Sequence, residues 1–255
     1  MRLTSMSAHS RLQKKKKFLE TYRNEIERLC KQLGGIPKQA SDAPITDTHL
    51  VIIIGSQKGL CGAFNNRLMQ FFEKSHPYKS KKIKNLVSIG KKITEYFMQR
   101  SIEPMSSYDT FNPANFVAIA HEITQLILDN PNYSHVTIYS NNPRTFFIQE
   151  TTKTSLAIPR EKNKTVIKLP EQAQEYTYEE PVSELRFHLE QMYMKVSLEE
   201  LLFKSLIAEQ AARFVSMDTS THNADQLITD MQRDYNKLRQ ALITRELTDL
   251  AGGIL

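Results

Sequence analysis

Tryptophan is absent from the 255 residues, glycine occurs only eight times and cysteine only twice. Cys30 and Cys61 lie too far apart for a metal-binding pair, so free thiols in a reducing compartment are expected. The seven histidines form no His-x-x-x-His cluster, which removes the usual zinc patterns. No apolar run approaches the ~20 residues of a membrane span, and the charged N-terminal stretch lacks a signal-peptide core. A soluble chain is therefore expected. What is present is ordinary for a folded protein: 40% apolar residues, 24% charged, and a formal charge of +6. The positive balance suits an acidic partner, a nucleic acid or an anionic surface as readily as no binding role at all.

Proline and glycine are also missing from particular places, and that distribution outlines the architecture. Neither occurs from Met1 to Leu33, nor from Val182 to Ala251. All ten prolines and six of the eight glycines fall between Gly34 and Pro181. Both residues interrupt helices. The pattern predicts an N-terminal helix over 1–33, a globular domain over 34–181 and one very long helix over 182–255. Uninterrupted, the last would extend roughly 105 Å, far beyond a compact domain of this size.

Both terminal segments carry heptad seams. Phe214, Met217, Thr221, Ala224, Ile228, Met231, Tyr235, Leu238 and Leu242 follow at steps of three and four. Leu12, Leu19, Tyr22, Ile26, Leu29 and Leu33 mark the N-terminal counterpart. Two seams flanking one domain suggest an antiparallel coiled coil within the chain. The N-terminal helix reaches only ~50 Å, so the distal seam, about residues 220–250, lacks an internal partner. A lone helix with an apolar stripe is poorly stable in water, and something outside should cover it.

The middle segment alternates strands and helices. "HLVIIIGS" (49–56), "IKNLVSIG" (83–90), "HVTIYSN" (135–141) and "FFIQETTKTSLAI" (146–158) read as strands. "FNNRLMQFFEKS" (64–75) and "PANFVAIAHEITQLILDN" (113–130) read as helices. This predicts a Rossmann-like α/β domain with a mainly parallel sheet. Residues 160–181 read as a polar linker back to the long helix, with room for a short strand at 165–169.

The glycine-rich turn "GSQKGLCGAF" follows the first strand and precedes a helix, the setting of a phosphate grip. Its spacing is wrong. Gly55, Gly59 and Gly62 give G-x-x-x-G-x-x-G, Lys58 precedes its glycine, and no acidic residue ends the next strand. A tight turn with close helix–strand packing is the better reading, with Cys61 as a small buried hydrophobe. Ser56 and Cys61 beside Lys58 form no catalytic triad. An α/β nucleotide-binding enzyme and an unrelated coiled-coil scaffold remain alternatives.

At this point the residues resemble a known family. "GSQKGLCGAFNNRL" is similar to the strand–turn–helix motif of the gamma subunits of F-type ATP synthases, the central-stalk rotors. "AEQAARFVSMDTSTHNADQLITDMQRDYNKLRQALITRELTDLAGG" (208–253) resembles their terminal signature almost position by position. "RLTSMSAHSRLQKKKKF" resembles the later part of their N-terminal helix. The resemblance implies a non-catalytic rotor, with no cofactor, metal or nucleic acid of its own. It implies a coiled coil turning inside a hexamer of alpha and beta subunits, and a foot attached to the epsilon subunit and the membrane rotor ring. Proton flow then drives ATP synthesis from the cytoplasmic face of a bacterial inner membrane.

By the same resemblance, Arg239 and Gln240 match the polar pair that engages the beta-subunit catch loops. Ile243, Leu247 and Leu250 should enter an apolar sleeve, with Thr244 and Glu246 in the signature around them. The basic run Lys14–Lys17 with Arg11 is partly a solvated face and partly a candidate for acidic beta-subunit loops. The chain departs from the family at its start, where a basic, threonine-rich stretch is missing. A late start assignment or a shortened rotor is implied. Gln57 and Asp249 also depart, and the chain ends early at "GGIL".

Overall fold

The computed structural model describes residues 2–35, 49–75, 85–159 and 179–252. Ten elements follow in order: α1 (Arg2–Gln32), β1 (His49–Ile54), α2 (Phe64–Ser75), β2 (Leu86–Ile89), α3 (Lys91–Gln99), β3 (Ser106–Tyr108), α4 (Phe116–Asp129), β4 (His135–Pro143), β5 (Gln149–Leu156) and α5 (Val182–Gly252). The expected linker strand at 165–169 falls outside the described residues.

The five strands form one sheet in the order β3-β2-β1-β4-β5. β1 pairs in parallel with both β2 and β4, β2 pairs in parallel with β3, and β5 runs antiparallel along β4. β1 is central and completely buried, which explains its unbroken apolar sequence: both of its faces meet a layer of helix. Leu50, Ile52 and Ile54 point to the side covered by α4 and α5, together with Ile123, Leu202 and Leu206. Val51 and Ile53 point to the opposite side, where Leu68 and Phe72 of α2 meet Ile93 and Phe97 of α3. The sheet is thus sandwiched between two helical layers, α2 with α3 on one side and α4 with the root of α5 on the other.

α3 and β3 were not foreseen in the sequence. β3 is only three residues long, "SSY", and has no apolar pattern to betray it. α3 starts directly after Gly90 without a side-chain cap. The other elements match their expected segments, α2 end to end, β4 running two residues further to Pro143 and the rest with trimmed ends. Asn112 Oδ1 accepts from the Ala114 and Asn115 backbone N–H groups and shapes the turn that opens α4.

α5 is one uninterrupted helix of 71 residues. α1 packs along its first half in the antiparallel sense: Cys30 lies against the Leu189 carbonyl, and Arg23 pairs with Glu200 at 3.1 Å. The expected N-terminal seam needs correcting. Leu12, Ile26 and Leu33 are buried, and Leu19 is partly buried against the core, but Tyr22 and Leu29 are 38% and 40% exposed. The contact line instead passes through Arg23 and Cys30. Arg23 lays its stem in the interface because Glu200, nearly buried on α5, accepts its charge.

Candidate partner-binding surface on the long helix

α5 changes character along its length. Its residues are largely buried from Met194 to Ala212, clasped by α1, α4 and the sheet. Every residue from Asp218 to Leu250 is exposed. The change comes at an aromatic collar. Phe146, in the β4–β5 loop, packs edge-on against His9 of α1 and against Phe214 of α5, with ring centroids 4.8 and 5.2 Å apart. Beyond this collar α5 runs on for about 50 Å with no described residue packed against it.

The bare segment keeps its seam. Ile228, Met231, Tyr235, Leu238 and Leu242 are 54–66% exposed, a stripe that no described residue covers. All seven resemblance-derived contact residues lie on this projecting half. At 100° per residue, Arg239, Ile243, Glu246 and Leu250 share one face, Gln240 and Leu247 flank it, and Thr244 lies further round. Ile243, Leu247 and Leu250 are 48%, 62% and 68% exposed. Thr244 Oγ1 donates to the Gln240 carbonyl at 2.9 Å, an internal bond that leaves the Gln240 amide free. Arg239 forms no ion pair with any described residue, whereas its neighbour Arg245 is 3.9 Å from Asp249.

The glycine turn lies at the root of this helix. It follows the C-terminal end of β1, beside the β1–β4 switch point where ligands bind in many α/β sheets. The turn itself is tied down by protein groups, and a cavity of about 350 Å³ opens beside it between Gly62, Arg67, Asn141, Gln149 and Ser216. Asn65 Oδ1 accepts from the Ser56 backbone N–H at 3.1 Å, and its Nδ2 donates to Ser56 Oγ at 2.7 Å. Ser56 Oγ donates onward to the Lys58 carbonyl at 2.9 Å. Cys61 and Phe64 pack on Ala208 and Ala212 of α5, and burial pushes the Cys61 thiol up. Arg213 donates to the Gly59 and Lys58 carbonyls at 3.4 Å and pairs closely with Glu209. Burial pushes the Glu209 carboxyl up, with the Arg213 guanidinium opposing it.

The glycines divide into distinct roles. A Cβ on Gly55 would fall 2.2 Å from Ile93 Cγ1, so α3 can approach only a bare backbone there. Gly62 has φ +58° and faces Ser216 of α5. Gly59 is uncrowded, its nearest neighbour being Lys92 Cε at 3.9 Å. Gly90, which drew no attention in the sequence, has φ +94°, and a Cβ there would meet the Ser56 backbone at 2.8 Å. Leu60 adopts φ 62°, a costly conformation for a branched side chain, and is 58% exposed. Asn65 and Arg213, which lock the turn to α2 and α5, also escaped the sequence reading, because lone polar residues on helices carry no local signal.

The basic run is a solvated face in this structure: Lys14, Lys15 and Lys17 are exposed and Lys16 lies 3.5 Å from Glu20.

A family model described as ATP synthase matches residues 1–255, the whole chain. The ATP synthase gamma chain of Helicobacter acinonychis is 34% identical over 216 residues, covering 80% of this chain and 70% of that protein. The chain belongs to the ATP synthase gamma-chain family. The gamma chain of Christiangramia forsetii is 29% identical over 271 residues, covering 99% of this chain and 90% of its own length. Solved structures share the fold. A chain in the Euglena gracilis mitochondrial ATP synthase OSCP/F1/c-ring structure matches with a TM-score of 0.62 at 16% identity, covering 99% of this chain and 93% of that one. A chain in the Tetrahymena thermophila mitochondrial ATP synthase central stalk and c-ring structure gives 0.57 at 19%, covering 85% and 97%. The family's architecture therefore accounts for the long bare helix as well as for the sheet domain that holds its root.

Proposed function

We propose that this chain is the non-catalytic central-stalk rotor of an F-type ATP synthase, coupling proton-driven rotation of a membrane ring to ATP synthesis in a hexamer of alpha and beta subunits. The observation that carries the reading is the bare half of α5, whose apolar stripe needs a cover that no described residue supplies. A ring of subunits closing round the helix would provide one.

The division of labour follows from the fold. Residues 1–33 and 182–255 form the shaft, and residues 34–181 form the foot. The foot holds the root of α5 against α4 and the β4 side of the sheet, so torque enters through a broad packed surface rather than a hinge. The foot would meet the epsilon subunit and the membrane ring. At the other end, the Arg239 guanidinium can grip a carboxylate with two parallel hydrogen bonds, a contact that depends strongly on angle. Gln240 stands beside it, and Ile243, Leu247 and Leu250 provide grease for an apolar sleeve. Thr244 and Glu246 lie between them.

No helix among the described residues is long and apolar enough to cross a membrane. The rotor is held at the membrane through its partners, as a peripheral subunit. The bacterial relatives favour the cytoplasmic face of an inner membrane as the location.

Co-expression of the full chain with the alpha and beta subunits tests the reading. The three are expected to co-purify as an ATP-hydrolysing complex, while this chain alone neither hydrolyses nor tightly binds ATP. A chain that stays monomeric beside an assembled alpha–beta hexamer would sink the proposal.

A further inference from the structure

The seam on the bare half of α5 is symmetric end to end. Ala224, Ile228, Met231, Tyr235, Leu238 and Leu242 are all exposed and follow at steps of 4, 3, 4, 3 and 4, the same from either end. Their centre, residue 233, lies one position from the middle of the exposed stretch 218–250. A second α5 laid antiparallel on this centre sets Ile228 against Leu238, Met231 against Tyr235 and Ala224 against Leu242, each pair occurring twice. The result is an unbroken run of apolar layers.

Charge favours the same register. Asp225 and Arg239 lie on one flank of the seam, evenly spaced about Gln232. In this arrangement Asp225 of each copy stands beside Arg239 of the other, and Gln232 stands beside its own counterpart. The ion pairs of the bare half are Arg233 with Asp230, Lys237 with Asp234 and Arg245 with Asp249, which leaves Asp225 and Arg239 without one among the described residues. Residues flanking the seam are the ones that form salt bridges between paired helices. On the opposite flank Asp234 meets its own counterpart, with Lys237 4.0 Å away to temper the repulsion. Asp218 and Glu246 approach each other at the two ends, where Arg245 lies between them.

The collar sets how far the helices can overlap. In this register residue 214 stands opposite residue 252, so α5 of one copy ends, at Gly252, beside Phe214 of the other. One heptad deeper would drive residues 245–252 against 207–214, where α5 enters the clasp of α1, α4 and the sheet. One heptad shallower would set Ile228 against Arg245 and Asp225 against Glu246. A parallel pair would crowd two α/β domains together at one end. We propose that the free chain pairs with a second copy of itself through an antiparallel coiled coil of residues 218–250, with the two α/β domains at opposite ends. The contact is the same patch on both copies, so it closes at two. The pairing does not rest on the rotor reading. Where that reading holds, the second copy and the alpha–beta hexamer compete for one stripe, and the unassembled chain is kept with its apolar tip covered.

Sedimentation equilibrium of the full chain, without other subunits, tests the pairing. A monomer–dimer equilibrium is expected, with a constant of about 10 μM for a short seam on an otherwise lone helix. Leu238→Asp should leave a monomer throughout. Asp225→Arg, which faces Arg239 with a like charge, should weaken the dimer at least tenfold, and adding Arg239→Asp should restore it. The charge pair also answers the question if Leu238→Asp loses helicity. All three positions are exposed, so the urea midpoint of the α/β domain should not move. A wild-type chain still monomeric at about 100 μM, assembly that continues beyond two copies, or no recovery in the reversed pair would overturn the proposal. These outcomes are read without alpha or beta subunits, so they stand apart from the success or failure of the rotor reading.

Discussion

His49, at the head of β1, ties the stability of this domain to pH. Its Nε2 lies 2.5 Å from Thr137 Oγ1 and its Nδ1 is buried without a hydrogen bond. Burial, then the His135 ring and Lys153, push its pKa down from 6.5 to about 4. The unfolded chain takes up this proton near pH 6.5, the folded chain only near pH 4. The stability that the neutral ring permits is complete above pH 6.5 and is lost as pH falls towards 4. Between pH 7 and pH 5 the loss should be about 2 kcal/mol, a large share of a typical folding free energy. Glu199 and Glu209, whose carboxyls burial pushes up, act in the opposite direction. The readout is therefore the difference between the wild type and His49→Gln in urea unfolding at the two pH values. Equal pH slopes in both proteins would remove His49 as the cause. Nothing in the sequence marked this histidine, since its effect arises from the neighbours that β4 brings beside it. The same holds for Gly90: a solitary glycine gains its importance only when the Ser56 backbone comes to rest against it.

At the scale of elements, the two halves of α5 should respond differently to the same insult. Proline removes a helix hydrogen bond and clashes with the preceding turn, at a cost of about 3 kcal/mol in a helix interior. Met231 is 64% exposed and far beyond the collar, so Met231→Pro has no packing to disturb. A lone helix is only marginally stable in water, and the segment beyond the break should fray. We expect lower helical circular dichroism and loss of assembly with the alpha and beta subunits, while the α/β domain unfolds at an unchanged urea midpoint. A shifted midpoint would mean that the distal segment packs back on the foot. α5 was legible in the sequence because seventy residues without proline or glycine leave nowhere to turn, and β1 because its apolar run is bounded by glycine. α3 and β3 were hidden because a nine-residue helix without a cap and a three-residue polar strand have little pattern to offer. The shift of the α1 seam from Tyr22 and Leu29 to Arg23 and Cys30 was hidden for another reason. A charged residue enters an interface only when its partner is there, and Glu200 is 177 residues away in sequence.

For the molecule as a whole, α5 has a packed root and an exposed distal half, which the proposed rotor reading takes as anchor and partner surface. This asymmetry separates folding from function. Core residues such as Leu202 and Ile207 are buried at the root of α5, and changes there affect the fold before anything else. Arg239 and Gln240 are exposed on the projecting half, where alanine is a better helix former than either. Arg239→Ala combined with Gln240→Ala should therefore leave the isolated chain with the same helicity and the same urea midpoint. If Arg239 grips a carboxylate in the complex as proposed, the loss should be felt there, because charge-assisted hydrogen bonds to a carboxylate are among the stronger polar contacts. If those contacts form at the angle that limits the rate, ATP hydrolysis by the reconstituted complex falls about tenfold, equivalent to about 1.4 kcal/mol of lost stabilisation. Because the contact pairs exposed charges, raising the salt concentration should slow the wild-type complex more than the double variant. Wild-type rates in a fully assembled double variant would show that these two side chains are merely solvated, and the grip would then have to come from Ile243, Leu247 and Leu250 alone.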